Sequence, residues 1–329
     1  MDQGVVGGAQ ARSPRFSLAV IPVVDIGTAD RLAVAREIGN ACRDTGFFYV
    51  SNHGVPSALL DAQFEWTRRF FALPLAEKLE IDLRNSPCSR GYEAMGGQTL
   101  DAAAPPDLKE GFYMGWHREP DHPYVRAGLP NHGPNVWPRS LPGFAQQMQL
   151  YYDAMFSLGK RLSRLVAISL GLDESFFERH YEEPMAILRL LHYPPHPKAA
   201  APDQLGAGAH TDWGLITVLA QDGLGGLEVR QADGRWIHAE PIAGTFVINI
   251  GDMLERWTNG VYHSTMHRVL NRSSERDRYS VPFFFEPNYN TRIECLPMCQ
   301  SASNPPRYAP CTAGEHIAQM YRKTYRTAQ

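Results

Sequence analysis

The sequence has 329 residues, of which 43% are hydrophobic and 20% are charged, and its formal net charge is −3. These values are typical of a globular protein that is long enough to bury a core, and they argue against nucleic acid or an anionic membrane as the main partner. The five cysteines form no C-x-x-C pair, and their odd number does not suit a disulfide framework. Because no apolar run approaches the ~20 residues of a membrane helix and no signal-peptide pattern is present, the sequence predicts a cytoplasmic protein with a mobile tail at residues 1–15.

The first half of the chain shows short apolar runs that alternate with amphipathic stretches of helical spacing. In chain order, these patterns predict a strand at residues 16–25, a helix at 29–44, a strand at 46–52, a helix at 57–71 and a short helical turn at 74–79. Residues 85–142 are rich in Gly, Pro and Asp and show no long periodic element. So long an irregular segment in a compact protein usually covers a functional region.

Two further helices are expected in the second half. The longest helical pattern covers residues 143–171, where apolar side chains keep to one side and Gly171 stands at the expected end. This pattern predicts a scaffold helix. A closing helix is expected from Thr312 to about Arg326, because Thr312 and Glu315 have the spacing of a capping box.

The chain from about Met185 onward is rich in β-forming residues. Between Gly208 and Pro287, runs of alternating apolar and polar residues are separated by Gly-Gly, Asp-Gly and Asn-Gly breaks. This pattern predicts successive antiparallel strands that close into a sandwich or barrel.

Four His-x-acid pairs are candidates for part of a metal site. Two histidines and one carboxylate on one face of a metal form the facial triad of non-haem iron(II) oxygenases, and residues two apart on a strand share a face. However, 12 histidines and 35 acidic residues in 329 positions give about one such pair by chance. The four pairs are His117/Glu119, His180/Glu182, His210/Asp212 and His238/Glu240.

Sequence context separates these pairs. The pair at 117 and 119 lies in the irregular segment. The pair at 180 and 182 follows a helical stretch, where residues two apart do not face each other. The pair at 238 and 240 lies on a polar strand that is expected to face solvent. Only His210 and Asp212 lead into a strongly β-forming run, WGLITVLA. We therefore favour this pair as metal ligands.

The third ligand is expected from a later strand on the far side of the same barrel. His263 and His267 have the same parity in YHSTMHRV, so both are candidates. We favour His267, because it precedes Val269 and is expected to lie deeper in the strand, whereas His263 is nearer a turn. A set of two histidines and an aspartate also suits zinc, which stays an alternative.

Arg278 and Ser280 are expected to share one face of the next strand. A guanidinium and a hydroxyl directed into an apolar barrel suit a carboxylate, which Arg binds through two hydrogen bonds. The alternative is a surface arginine paired with an acid, but the apolar run VPFFF that follows disfavours exposure. Aromatic residues that are candidates to line a substrate pocket, although each is more typical of a core, are Trp213, Tyr113, Trp116, Phe283 and Phe285.

Together, these motifs resemble a known family. HTDWGLITVLAQD, HSTMHRV and RYSVPFFF are similar to motifs of the iron(II)- and 2-oxoglutarate-dependent oxygenases of the isopenicillin N synthase-like branch, and LRLLHYPP, IPVVD, GFFYVSNHGVP and PDLKEGFYMG add to the likeness. The resemblance covers about residues 21–287. It implies a mainly β fold with flanking helices (α+β), namely a double-stranded β-helix or distorted jelly roll with a helical N-terminal region and a long scaffold helix. The implied divisions are a tail at 1–15, an N-terminal non-haem dioxygenase region at 16–142, the scaffold helix at 143–184, the jelly-roll core at 185–290 and a C-terminal helical extension at 291–329.

The resemblance also implies roles for individual residues. His210, Asp212 and His267 would bind iron(II), while Arg278 and Ser280 would bind the distal carboxylate of 2-oxoglutarate. Tyr193 is expected to add its hydroxyl to that carboxylate. Two positions before it, Leu191 stands where many plant members have Asn, so one polar contact is missing.

The implied activity couples oxidative decarboxylation of 2-oxoglutarate, to succinate and CO2, with hydroxylation, desaturation or ring closure of a small organic substrate. Oxygen is the second co-substrate and ascorbate a candidate reductant, and no obligatory protein partner is expected. Because isopenicillin N synthase and aminocyclopropane-carboxylate oxidase act without 2-oxoglutarate, an iron oxidase or cyclase of that type is an alternative. The former has a glutamine ligand near its end, and this chain ends in Gln329. A non-catalytic barrel that senses iron or a small acid is an alternative of another class.

Overall fold

A computed structural model describes residues 21–101, 103–197, 204–271 and 273–324. The expected tail at residues 1–15, the first part of the strand expected at 16–25, and Gln329 lie outside these described residues.

The helices that the sequence predicts are present, together with two short helices that it did not predict, at residues 123–126 and 252–257. In the described residues they are α1 (Arg31–Asp44), α2 (Ser57–Phe71), α3 (Leu75–Leu79), α4 (Pro123–Arg126), α5 (Phe144–Ser169), α6 (Asp252–Trp257) and α7 (Ala313–Thr324). Gly171 follows the end of α5 with a φ of 72°, the left-handed conformation that favours glycine at a helix end. The capping box of α7 is confirmed, because Glu315 N donates to Thr312 Oγ1 over 3.1 Å and Thr312 N donates to Glu315 Oε2 over 2.7 Å.

Most strands lie in the second half of the chain. In chain order the described strands are β1 (Val23–Asp25), β2 (Phe47–Ser51), β3 (Gly91–Glu93), β4 (Glu110–Gly115), β5 (Ile187–Tyr193), β6 (Ala207–His210), β7 (Ile216–Gln221), β8 (Leu227–Arg230), β9 (Trp236–His238), β10 (Phe246–Ile250), β11 (His267–Val269), β12 (Arg278–Phe285), β13 (Arg292–Ile293) and β14 (Cys311–Thr312).

These strands form two main sheets. The large sheet has eight strands in the order β1-β2-β10-β7-β12-β5-β4-β3, and the small sheet has four in the order β6-β11-β8-β9. β1 runs parallel to β2, and the other pairs in both sheets are antiparallel. β1 to β4 therefore extend a sheet whose centre comes from the second half of the chain.

Apolar residues cover both faces of the large sheet. On one face they form a core with α1, α2 and α5. On the other face, Phe47 and Tyr193 of the large sheet cluster with Val229 and Val269 of the small sheet. Both the sandwich and the mainly β class with flanking helices are thus confirmed, and the space between the two sheets is where inward-facing polar side chains meet.

Side chains of β12 alternate between the two faces of the large sheet, and those on one face pack against α5. Phe283 and Phe285 point toward α5, where Phe283 contacts Tyr152 with 5.2 Å between ring centroids. A Cβ on Gly159 of α5 would lie 2.5 Å from the Phe285 ring. Only a glycine therefore allows the helix to approach the strand at this point.

The segment at residues 85–142 is less irregular than its composition suggests. It contains β4, in which all six residues are buried and which pairs with β3 and β5. Our expectation of no long periodic element missed this strand, because a strand buried on both faces shows no alternation of apolar and polar residues.

Two further features concern the helices and the cysteines. Within the described part of the chain, none of the helices combines the length and the apolar character that crossing a membrane requires. All five cysteines are free thiols.

Candidate metal centre and adjoining pocket

Two neighbouring strands of the small sheet bring the two favoured histidines together. His210 is the last residue of β6 and His267 is the first of β11, and the antiparallel register places them directly opposite each other. Their ring centroids are 4.3 Å apart. The expectation that the third ligand comes from the far side of the barrel is therefore wrong, as is the expectation that His267 lies deep in its strand. The two rings meet because they form a cross-strand pair, whose side chains share one face of a sheet.

Asp212 completes the cluster. Its Oδ1 atom lies 3.8 Å from His210 Nε2 and 3.7 Å from His267 Nε2. Among the residues that the structure describes, these three form the one group of at least three His, Cys, Asp or Glu side chains whose ligand atoms converge, all within 4.8 Å of one another. Three N/O donors, with no fourth His, Cys, Asp or Glu side chain converging on them in the described part of the chain, match a facial site with open positions, although the same donor set can hold zinc.

Hydrogen bonds fix which ring nitrogen of each histidine faces the cluster. His210 Nδ1 lies 2.7 Å from the Gly208 carbonyl oxygen, and His267 Nδ1 lies 3.1 Å from the Thr265 carbonyl oxygen. A backbone carbonyl can only accept, so each Nδ1 carries the proton and each Nε2 keeps its lone pair for a metal. Burial lowers the pKa of His210 to about 3, which keeps that ring neutral.

The second carboxylate oxygen of Asp212 is held by two donors. Thr217 Oγ1 donates to Asp212 Oδ2 over 2.5 Å, and Asn249 Nδ2 donates to the same atom over 2.7 Å. Burial raises the pKa of the Asp212 carboxyl, but the neighbouring histidines and these two hydrogen bonds outweigh burial and lower it. The side chain is therefore an anion with Oδ1 directed at the histidines.

The remaining histidine candidates lie elsewhere. His263 is exposed, as are His117 and its neighbour Glu119. His238 is also exposed and lies 3.5 Å from Glu228, between Nδ1 and Oε1. None of these belongs to the converging group.

A pocket between the two sheets adjoins the cluster and receives Arg278. It holds about 890 Å³ of space free of protein atoms, a volume that includes open solvent at its mouth. Arg278 is fully buried, and its guanidinium lies 4.7 Å from the ring centroid of Tyr193, its cross-strand partner on β5. Its Nε donates to the Gly225 carbonyl, but neither Nη1 nor Nη2 has a hydrogen-bond partner in the part of the chain that the structure describes. Because a buried cation without an anion is very unfavourable, these two nitrogens fit the carboxylate of a bound acid.

Other side chains complete the carboxylate end of the pocket. Ser280 is two residues from Arg278 on the same face of β12, and it pairs across the sheet with Leu191. The structure thus places Tyr193, Arg278 and Ser280 together, as expected, with Leu191 beside them.

The aromatic lining differs from the expected set. Of the five candidates only Trp213 lines the pocket, while Phe284 and Phe47 line it without having been named. Side chains at every second residue of a strand lie on the same face. Arg278, Ser280 and Phe284 are therefore on the face of β12 that lines the pocket, and this rule could have predicted Phe284 from the sequence. The other four candidates are core residues: Tyr113 donates to Glu93, Trp116 contacts Phe156, Phe283 contacts Tyr152 and Phe285 stacks on Tyr181.

Several polar pocket residues had no signal in the sequence. Gln98 lies in the loop between β3 and β4, Lys109 directly precedes β4, and Tyr321 comes from α7, where it contacts Trp213 with 5.3 Å between ring centroids. Glu286 follows β12 with the same parity as Arg278, so the period-two rule could have included it.

Comparison with known proteins identifies the family. Residues 21–140 match the family model described as non-haem dioxygenase in morphine synthesis N-terminal, and residues 184–287 match that of the 2OG-Fe(II) oxygenase superfamily. The 2-oxoglutarate-Fe(II) type oxidoreductase hxnY of Emericella nidulans is 39% identical over 306 residues, which cover 92% of this chain and 87% of that protein. The chain belongs to the 2-oxoglutarate- and iron(II)-dependent oxygenases.

Solved structures of this family share the fold. A full-length protein of Neurospora crassa, solved in complex with alpha-KG and thymine, superposes with a TM-score of 0.80 at 32% identity, covering 91% of this chain and 95% of that one. A putative 2OG-Fe(II) oxygenase family protein of Caulobacter crescentus gives a TM-score of 0.82 at 36% identity, covering 92% and 98%. The fold is the double-stranded β-helix that the motifs imply, and the chain is an oxidoreductase that uses iron(II), 2-oxoglutarate and oxygen.

Proposed function

We propose that this dioxygenase binds iron(II) through His210 Nε2, Asp212 Oδ1 and His267 Nε2. The support is the convergence of these atoms, the backbone hydrogen bonds that fix both ring tautomers, and the absence of a fourth protein donor among the described residues. Bound iron(II) supplies the activation of oxygen, coupled to decarboxylation of 2-oxoglutarate to succinate and CO2. The products on the substrate side are those of hydroxylation, desaturation or ring closure of a small organic molecule.

The co-substrate site lies at the Arg278 end of the pocket. Arg278 binds the distal carboxylate of 2-oxoglutarate through Nη1 and Nη2, and the hydroxyls of Ser280 and Tyr193 add donors. The observation that carries this assignment is the fully buried guanidinium, which lies in the same pocket as the metal ligands and whose two terminal nitrogens have no hydrogen-bond partner among the described residues.

The residues of this chain contribute orientation and exclusion of water. Thr217 and Asn249 hold the Asp212 carboxylate so that one oxygen faces the metal. Arg278 anchors the far end of the co-substrate, which fixes the distance of its keto acid end from the histidines. Apolar walls on both sheets keep bulk water out of the space between these two points.

Relatives do not single out one substrate class. Those found by similarity include the Neurospora crassa protein in complex with thymine, a JOX2 in complex with JA, a homoarginine-6-hydroxylase of Oryza sativa and a clavatol oxidase of Penicillium crustosum. These names support a small organic molecule as the substrate here. The cytoplasmic location, ascorbate as reductant, the lack of an obligatory protein partner and the divisions at residues 16–142, 143–184, 185–290 and 291–329 stay predictions.

Anaerobic spectroscopy tests both assignments. Iron(II) and 2-oxoglutarate together are expected to give a weak visible charge-transfer band, and oxygen is then expected to yield succinate. Arg278→Leu should weaken 2-oxoglutarate binding by about 30-fold or more, since truncating one member of a buried charge pair costs about 2–5 kcal/mol. Arg230→Leu, at an exposed arginine on β8, is the matched control and should leave the affinity unchanged.

The outcomes of this test separate the alternatives. A band without oxygen-dependent succinate formation would favour a sensor. Turnover that needs no 2-oxoglutarate would favour the oxidase or cyclase. Failure of iron(II) to bind where zinc binds would favour the zinc site, and equal 2-oxoglutarate affinity in Arg278→Leu and wild type would remove this arginine from its role.

A further inference from the structure

The loop that carries Gln98 is fixed against the metal-binding strand. Asp107 N donates to the Gln98 carbonyl oxygen over 3.1 Å, and the Asp107 carboxylate in turn accepts from Gly208 N over 2.9 Å. Gly208 is two residues from His210, and a Cβ on it would lie 2.9 Å from Asp101. This loop is therefore part of the pocket wall beside the metal centre.

Gln98 itself is a polar side chain without a partner. It lines the pocket, its exposed fraction is 2%, and neither its amide oxygen nor its amide nitrogen has a hydrogen-bond partner in the described structure. Arg278 shows the same combination of burial and unpaired polar atoms at the co-substrate end. Buried polar groups almost always form hydrogen bonds. Two polar atoms at a pocket wall without hydrogen-bond partners therefore indicate a ligand that forms hydrogen bonds with both.

The chemistry of the amide restricts that ligand. A glutamine amide offers one acceptor and one donor side by side in a plane. A ligand can form hydrogen bonds with both when it carries an N–H group next to a C=O group on one edge of the molecule. Lactams, imides and primary carboxamides have such an edge. A carboxylate would satisfy only the amide nitrogen, and a hydrocarbon would satisfy neither atom.

Other residues that line the pocket with Gln98 suit a flat molecule of this kind. Lys109 does not offer a free cation to an acidic substrate, because its ammonium donates to Asp107. Leu100 and Trp213 contribute apolar surface to the same pocket, against which a ring can pack. Glu286 adds a second buried oxygen that has no hydrogen-bond partner among the described residues.

We propose that the primary substrate carries an amide edge, as in a lactam, imide or carboxamide, and that Gln98 recognises this edge through paired hydrogen bonds. This inference rests on the proposed function, because it assigns the substrate of the same site. Gln98 is thus a specificity residue, distinct from the residues assigned to iron and 2-oxoglutarate.

A matched pair of small probes tests the idea on the intact protein. 2-Pyridone has the N–H and C=O of a lactam, and N-methyl-2-pyridone has the same ring without the donor. Both are titrated by calorimetry, without oxygen, into protein loaded with iron(II) and 2-oxoglutarate. The lactam is expected to bind at least tenfold more tightly than its N-methyl form, because the latter leaves the Gln98 oxygen unpaired. Benzoate, which offers acceptors and no donor, should also bind more weakly than 2-pyridone.

Two variants and a control assign the discrimination to Gln98. Gln98→Leu removes both polar atoms, and Gln98→Glu replaces the donor at nearly constant shape. Gln98→Leu should abolish the preference for 2-pyridone over its N-methyl form. Gln98→Glu loses the donor to the ring C=O but keeps an acceptor for the ring N–H, so it should bind both pyridones more weakly and keep the preference. The 2-oxoglutarate charge-transfer band should stay unchanged in both variants. Gln146→Leu, at an exposed glutamine of α5, should keep the wild-type preference.

The outcomes distinguish this inference from the proposed function. Equal binding of the two pyridones to wild type, tighter binding of benzoate, no binding of either pyridone at millimolar concentration, or retained discrimination in Gln98→Leu would each overturn the role of Gln98. In all of these cases a normal charge-transfer band would leave the proposed function standing. Absence of the band in wild type would instead overturn the proposed function, and the inference with it.

Discussion

Thr217→Val is expected to weaken iron(II) binding without disturbing the fold. The Thr217 hydroxyl and the Asn249 amide both donate to Asp212 Oδ2, over 2.5 Å and 2.7 Å. Valine keeps the shape of the threonine side chain but removes one of these donors. The carboxylate then loses part of the support that turns Oδ1 toward His210 and His267.

The size of the effect follows from this geometry. A hydrogen bond to a charged group contributes about 1.5–3 kcal/mol, which corresponds to about 10- to 100-fold in an equilibrium constant. Removal of groups that support metal ligands typically costs a similar factor in metal affinity. Because Asn249 still holds the same oxygen, we expect about tenfold for Thr217→Val. The double variant Thr217→Val/Asn249→Leu should lose more, and not additively, since both donors serve one atom.

Anaerobic equilibrium dialysis with iron(II) measures this change directly. The control is Thr258→Val, since Thr258 is equally buried and donates to the Leu254 carbonyl oxygen over 2.8 Å at the end of α6. It should lower Tm and leave iron(II) affinity unchanged. Unaltered affinity in Thr217→Val, or an equal loss in Thr258→Val, would refute the reasoning that Asp212 Oδ2 must be held by donors.

Three further changes have definite expected outcomes. His267→Ala should abolish the band that iron(II) and 2-oxoglutarate give, whereas His263→Ala, at an exposed histidine, should preserve it; a lost band in His263→Ala would contradict the assignment. Gly159→Ala should lower Tm although alanine favours helices, because its Cβ would lie 2.5 Å from the Phe285 ring. Such overpacking costs about 1–3 kcal/mol of stability. An unchanged or higher Tm would show that α5 can move away from the sheet. Burial raises the pKa of Glu286 from 4.5 to about 8, so the folded state binds a proton that the unfolded state has lost, and wild type should lose stability as pH rises between these values. Glu286→Gln should flatten that decline in Tm against pH, and a parallel decline in both proteins would argue against the shift.

The sequence predicts best what depends on local periodicity. The helices from α1 to α3 and α5 lie where the spacing of apolar residues indicates them. The convergence of Arg278 with Ser280 follows from residues two apart lying on one side of a strand, and the same rule selected His210 with Asp212, although Asp212 lies two residues beyond the end of β6. Each of these inferences needs only a few neighbouring residues.

Features that depend on pairing between distant segments were harder to predict. The sequence singles out His267 but does not show that β11 lies next to β6, since strand order and register are set by contacts across the whole barrel. β4 was missed because burial on both faces removes the alternation that marks a strand. Gln98 gave no signal because its loop has no periodicity, and only the folded structure shows what its side chain lines.

The facing position of His210 and His267 has a consequence for how this protein should be handled. An ion held by both rings would link two short strands of the small sheet. A ligand that binds only the folded state raises the free energy of unfolding, and the increase grows with the logarithm of the ratio of ligand concentration to Kd. Protein produced under iron starvation should therefore be easier to unfold and to digest at the β6–β11 edge than protein produced with ample iron. Supplying the metal during expression then becomes a matter of yield as well as of activity.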